Sequence, residues 1–208
     1  MNFLAHLHLA EPTPESRLGN LLGDFVKGLP WDERFTVPVW QGIMEHRMVD
    51  AFTDSHPAWK ESRDLLPEGL RRYAGIVVDI FYDFFLHRHW EKFSPGQSLP
   101  DFIASTHKDL REVLDVAPGE ASRAIQAMIE QEWLGEYATI EGIDRTLRRV
   151  SRRSPILESI FDAAEVLRTE LGNLEEHFVV FYPDMLSYVP RMREKLKEEH
   201  RKYRTSKS

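Results

Sequence analysis

The sequence predicts an all-α fold, a compact helical domain around one core, on three observations. Apolar residues recur at helical spacing along nearly all of the 208 residues, and proline and glycine fall between those segments. Strand-like alternation bounded by hairpin turns is missing, and the short apolar run Ile76–Val78 sits inside a longer helical pattern. With 42% hydrophobic and 29% charged residues, and 12 Phe, 6 Tyr and 5 Trp, the chain has enough apolar bulk for a real core. Its length fits a single domain over residues 1–208.

Taken in order, the pattern predicts helices near 2–10, 14–28, 36–54, 57–66, 68–91, 99–115, 118–134, 139–152, 155–171 and 173–204. The first, in MNFLAHLHLA, is apolar but lacks a basic leading segment and carries two histidines, so it reads as a buried helix and not as a signal peptide. Val39, Ile43 and Met44 open the apolar face of the third, which continues through Met48, Ala51 and Phe52. Ile76, Val77, Ile80, Phe81, Phe84 and Phe85 give 68–91 a face broad enough for a central helix. Phe102, Ile103, Leu110, Val113 and Leu114 repeat the pattern in 99–115. Pro183 and Pro190 are expected to kink or split the last helix.

Composition also excludes some functions. The chain has no cysteine, which removes disulfides, thiolate zinc sites and a cysteine nucleophile and suits a cytoplasmic location. The most apolar run, Ala74 to Leu86, is interrupted by Asp79 and Asp83 and falls short of the ~20 residues that span a bilayer, so no membrane role is expected. A net charge of −7 argues against a general nucleic-acid binder. Residues 191–208 carry eight Lys or Arg against three Glu, read as a solvated, fraying helix end.

Six of the nine histidines (His6, His8, His46, His56, His87, His89) precede residue 90, together with Asp24, Asp50, Asp54, Asp79 and Asp83. Residues four apart share a helix face, and His46–Asp50, Asp50–Asp54, Asp79–Asp83 and Asp83–His87 all have that spacing. Asp79 and Asp83 sit amid Ile76, Val77, Val78, Ile80, Phe81, Phe84 and Phe85. Two buried carboxylates on one face are costly unless a cation lies between them, and hard divalent cations prefer carboxylate and imidazole donors. By contrast His56, His107, His177 and His200 read as structural, and Asp32 and Asp64 as solvated or capping residues. Asp54 precedes Ser55-His56-Pro57 and either caps or ends a helix there or belongs to the cluster. Arg47 either clamps a phosphate oxygen or pairs with a surface acid.

Several motifs are missing: Glu-x-x-His pairs, His-Glu-x-x-His, the phosphate loop and Gly-x-Ser-x-Gly. A helical site of His and Asp remains, which suits metal-assisted hydrolysis of a phosphate ester.

The same residues carry a family resemblance. Met-Asn-Phe-Leu-Ala-His-Leu at 1–7, Gly-Asn-Leu-Leu-Gly-Asp-Phe-Val at 19–26 and His-Arg-Met-Val-Asp-Ala-Phe-Thr-Asp at 46–54 resemble bacterial acyl-carrier-protein phosphodiesterases. So do Val-Asp-Ile-Phe-Tyr-Asp-Phe-Phe-Leu at 78–86, Arg88-His89-Trp90 and Phe181-Tyr182-Pro183. The resemblance implies a helical fold similar to the HD phosphohydrolases, dependence on Mn²⁺ or Mg²⁺, and removal of 4′-phosphopantetheine from holo-acyl carrier protein. It makes Asp24 the essential aspartate and His6, His46, Asp50, Asp79 and Asp83 the other polar motif positions. The metal would then be held by Asp24 with some of His6, His46, Asp79 and Asp83. Asp50 or Asp54 would take a proton from water, and Arg47 would hold a phosphate oxygen. The chain contains no His-Asp dipeptide, and Phe84 stands where the family pattern leads one to expect His.

Arg145, Arg148, Arg149, Arg152 and Arg153 fall at i, i+3, i+4, i+7 and i+8, one basic helical face. It is either a docking face for the acidic carrier protein or a solvated face paired with this chain's own acids. Two rival functions fit the same residues: an HD-like hydrolase of a nucleotide or other small phosphodiester, and a non-catalytic helical binder of carrier protein.

Overall fold

The structure, a computed structural model, describes residues 1–28 and 35–206, with side chains to Arg201 apart from Glu199. Asp32, and the side chains of Lys202, Arg204 and Lys207 in the basic end, lie outside the described residues.

Among the described residues all regular structure is helical. The elements are α1 (Phe3–Leu9), α2 (Pro14–Leu22), α3 (Val37–Ser55), α4 (Pro57–Asp64), α5 (Glu68–Arg71), α6 (Ala74–Arg88), α7 (Trp90–Phe93), α8 (Leu99–Glu112), α9 (Gly119–Glu130), α10 (Trp133–Glu136), α11 (Ile140–Ser151), α12 (Ala164–Thr169) and α13 (Leu171–Ser206). Two 3₁₀ segments, Leu114–Val116 and Pro155–Asp162, complete the chain. No described helix is long and apolar enough to cross a membrane.

Helix starts follow capping chemistry. Thr13 accepts the Ser16 N–H ahead of Pro14, Ser98 accepts the Asp101 N–H, and Thr139 accepts the Gly142 N–H. Between α3 and α4 the cap is His56, whose ring accepts the Ala58 N–H, so Asp54 neither ends nor caps a helix.

Four predicted boundaries are corrected. The helix expected to reach residue 28 stops at Leu22, where Phe25 and Val26 both bond back to the Leu22 carbonyl and Gly28 takes φ +100°. The span 68–91 divides into α5, α6 and α7, with breaks at Tyr73 and at His89, which leaves helical geometry while its Nε2 meets Glu175 at 2.6 Å. The span 118–134 is broken by Glu132, a non-glycine residue at φ 52°. The span 155–171 is a 3₁₀ segment followed by α12. Conversely, α13 runs unbroken through Pro183 and Pro190, because Phe178, Phe181, Tyr182, Met185, Val189 and Met192 pin both sides of each proline in the core.

The central α6 is buried on almost every side, with Val77, Val78, Ile80, Phe81, Phe85 and Leu86 all at 2% exposure or less. Burial of this kind supplies most of the folding free energy, at about 25 cal/mol per Å² of apolar surface. Beside it, α2 and α3 cross through glycines. A Cβ at Gly19 would lie 2.3 Å from the Val39 carbonyl, and one at Gly42 would lie 2.7 Å from the Ser16 carbonyl. That close crossing carries the turn after α2, with Asp24, onto the middle of α3.

Candidate active site

The site assembles from α1, the turn after α2, α3 and α6. His46, on α3, is buried, and its Nδ1 lies 2.7 Å from the Asn20 carbonyl. A carbonyl only accepts, so Nδ1 carries the proton and Nε2 faces outward. There it meets Asp50 Oδ2 at 3.1 Å and Asp24 Oδ1 at 3.4 Å. Gly23 makes room for this ring, since a Cβ there would fall 2.2 Å from two of its atoms.

His6, on α1, stacks on His46 with ring centroids 3.9 Å apart. Its Nε2 is 3.1 Å from both Asp50 Oδ1 and the Met1 carbonyl, so it donates to them and steadies Asp50. The Met1 ammonium sits 3.1 Å from Asp50 Oδ1 and 2.8 Å from Asp79 Oδ2. Trp59 donates its indole N–H to Asp79 Oδ1 at 3.2 Å.

Charges follow from these contacts. Burial alone would lower His46, but Asp24 and Asp50 outweigh it and raise the imidazolium to about 9. Burial and the neighbouring His46 lower His6 to about 4, leaving it neutral. Burial opposes ionisation of Asp50, yet the Met1 ammonium, His46 and His6 hold its carboxyl well below the usual range. Burial likewise opposes the Met1 ammonium, and Asp79 and Asp50 raise it to about 11.

A ligand atom each from His6, His46 and Asp50 lie within 4.8 Å of one another, the spacing of donors around one cation. The donor set, the His46 imidazole with Asp24 and Asp50 alongside and His6 on the flank, fits a borderline-to-hard divalent cation. The Asn20 carbonyl on Nδ1 is the kind of outer contact that orients a metal-binding histidine.

Other sequence-predicted residues lie elsewhere. Asp83 shares a face of α6 with Asp79, but the two carboxylates have separate partners. Both its oxygens accept backbone N–H groups at the start of α1, from Leu4 at 2.8 Å and Ala5 at 3.0 Å. Burial pushes its carboxyl up to about 7 despite those bonds. Phe84 packs in the core against Phe85, away from the His–Asp cluster. Arg47 spends its guanidinium on the carbonyls of Val26 and Gly28, so it braces the turn that carries Asp24. His56 and His177 are structural, bonded to Asp184 and Ser62 respectively.

The cluster opens on a cavity of about 590 Å³. Its lining combines Asp24, Asp50, Asp54, Asp79 and Lys27 with Glu120, Arg149 and Arg153, and with Thr146, Trp133 and Tyr137. A second, open cleft of about 600 Å³ adjoins it, lined by Gln131, Trp133, Arg145, Arg148, Arg149, Arg152 and Arg153. The five arginines therefore do form one face, and it is partly neutralised. Glu136 pairs with Arg145 at 3.1 Å and with Arg149, and Asp144 pairs with Arg148 at 2.6 Å. Arg149 also lies over the Trp133 ring at 4.2 Å. Sequence reasoning missed Lys27, Trp133, Tyr137 and Thr146 as cavity residues. Their local patterns are those of any helix or turn, so only the packing of α11 across α6 reveals them.

Fold and site together define an all-helical protein whose His–Asp cluster borders a cavity lined by both aspartates and arginines. The family "Acyl carrier protein phosphodiesterase" matches residues 1–185. Acyl carrier protein phosphodiesterases of Enterobacter sp. (strain 638) and Yersinia enterocolitica are 37% and 38% identical to this chain. Those alignments cover 89% and 90% of it and 96% of each relative. One from Escherichia coli O157:H7 is 36% identical over 92% of this chain and 98% of its own length. The chain belongs to the acyl carrier protein phosphodiesterase family. No solved structure gives a significant match, so the expected likeness to the HD fold has no structural neighbour behind it.

Proposed function

We propose that this protein hydrolyses the phosphodiester of holo-acyl carrier protein in the cytoplasm, releasing 4′-phosphopantetheine and leaving the apo-carrier with its free serine. The reading rests chiefly on one observation: His46 Nε2 meets Asp24 and Asp50, two carboxylates that line a cavity also lined by Arg149 and Arg153. Family membership and the names of the relatives support the same substrate.

His46, Asp24 and Asp50 would hold Mn²⁺ or Mg²⁺, with His6 and Asp79 on its flank. When bound, such a cation acidifies a water and offsets charge growing on phosphoryl oxygens. His6 keeps Asp50 in place through Nε2 and, being neutral, adds no competing charge. Asp54 is an exposed carboxylate on the cavity wall and makes no ion pair among the described residues. It suits the role of proton acceptor better than Asp50, whose oxygens are already engaged. Arg149 and Arg153 place positive charge where the phosphate enters. In the reaction the water oxygen bonds to phosphorus, the bond from phosphorus to the serine oxygen breaks, and one water proton passes to Asp54. The serine oxygen leaves with a proton from solvent. The outer arginines, Arg145, Arg148 and Arg152, would meet the acidic carrier protein.

Asp24→Ala is expected to abolish turnover of holo-carrier protein while the far-ultraviolet dichroism stays native. Asp54→Asn is expected to keep manganese binding and lower kcat by roughly 10²–10⁴-fold, the usual loss of a proton acceptor. Full activity in Asp24→Ala would sink the scheme.

A further inference from the structure

Two buried hydroxyl residues of the cavity lining, Thr146 and Tyr137, take no part in the hydrolysis described above. Thr146, on α11, is 4% exposed and lines the cavity, yet its Oγ1 has no hydrogen-bond partner. A helical threonine ordinarily relieves its hydroxyl on the carbonyl one turn back, and this one does not. Tyr137, 1% exposed, also lines the cavity. Its oxygen accepts the Asn2 amide at 2.9 Å, and among the described residues nothing accepts its own proton. Burial keeps it a phenol. A buried hydroxyl left unsatisfied is rare and costly, and that of Thr146, in a cavity shared with a Tyr137 phenol whose proton has no acceptor among the described residues, points to a ligand that completes both.

The cavity indicates what that ligand is. Its volume of about 590 Å³ far exceeds a phosphate group and falls in the range of small-molecule sites. Beside its charged residues the cavity has an aromatic and aliphatic part of its lining, from Phe3, Trp133, Val150 and Leu157. Such a wall suits a neutral, flexible chain carrying spaced amide and hydroxyl groups.

We propose that Thr146 Oγ1 and Tyr137 Oη form a recognition subsite for the amide-and-hydroxyl arm esterified to the reacting phosphate. This rests on the proposed function, under which that arm is pantetheine. The phosphate lies beside Asp24 and Asp50, the arm runs through the cavity, and the two hydroxyls bond to its amides. The pair therefore sets affinity and selectivity and takes no part in moving the proton.

The test compares wild type with Thr146→Val, which keeps the side-chain shape and removes the hydroxyl. The expected result is a KM for holo-acyl carrier protein raised about tenfold, the worth of one neutral hydrogen bond, with the loss carried by KM and not kcat. Inhibition by 4′-phosphopantetheine should weaken by the same factor, and Thr146→Ser should restore both. Without ligand, Thr146→Val should melt no lower than wild type, because it removes an unsatisfied group. Turnover by wild type together with an unchanged KM in the valine variant, or a loss confined to kcat, overturns the subsite alone. Failure of wild type to convert holo-carrier protein overturns the proposed function and the subsite with it.

Discussion

His46 carries the proton that a cation must displace. With Asp24 and Asp50 raising it to about 9, the imidazole is charged at neutral pH in the metal-free protein. Cation binding therefore releases a proton, and affinity for Mn²⁺ should rise about tenfold per pH unit from 7 towards 9. The linked effect on stability has a definite sign. A folded-state value above the unfolded 6.5 gives stability that is full below pH 6.5 and is lost as pH rises through 9. Metal-free protein should melt at lower temperature across that window, and Mn²⁺ should restore it. Calorimetric titration and melting curves at successive pH values check both, and His46→Gln should reduce the slope, leaving the part that the Met1 ammonium, raised to about 11, contributes above pH 8. At this scale the sequence disclosed which residue types would gather, because His46–Asp50 and Asp79–Asp83 have the spacing of one helix face. It did not disclose how each carboxylate is satisfied. Asp83 was legible as buried, but its partners are backbone N–H groups on α1, nearly eighty residues earlier. Arg47 reads alike in sequence whether it faces a phosphate or a carbonyl.

Among the helices, α13 holds the site from behind. Arg193 grips Glu45 through two nitrogens, at 2.6 and 2.8 Å, and also reaches the Leu9 carbonyl, joining α13 to α3 and α1. Glu45 is 3% exposed, so Arg193→Ala strands a buried charge. A loss of about 3 kcal/mol is expected, as for other buried pairs broken on one side. Urea denaturation measures it. A loss below about 1 kcal/mol would show that the clamp is not structural. This arginine belongs to a stretch that reads as a solvated basic end, since charge density alone does not distinguish an anchor from a surface residue. Helix existence was legible throughout because apolar spacing is a local property. Boundaries were not: Glu132 and His89 break helices through contacts and backbone angles set by distant elements. The prolines of α13 were misleading for the same reason, because packing on both sides outweighs a missing N–H.

Over the whole molecule, a chain of net charge −7 keeps five arginines, three on α11 and two just past its end, around one cleft beside the cavity. Long-range attraction of an acidic partner is screened by salt, with a Debye length of about 8 Å at physiological ionic strength. Arg145→Ala combined with Arg152→Ala should lower kcat/KM for holo-carrier protein about tenfold at low salt, and the gap should narrow as salt is added. A gap independent of salt would place these arginines outside docking. The fold class was legible from periodicity. The cavity was not, because it exists only where α10 and α11 close over α6, and no local pattern encodes that closure. The most direct test of the central claim is the mass of acyl carrier protein after incubation with this protein and Mn²⁺, and again with a chelator. The account predicts loss of one phosphopantetheine with the metal and none with the chelator. An intact holo-carrier under both conditions, with the protein folded, would contradict it.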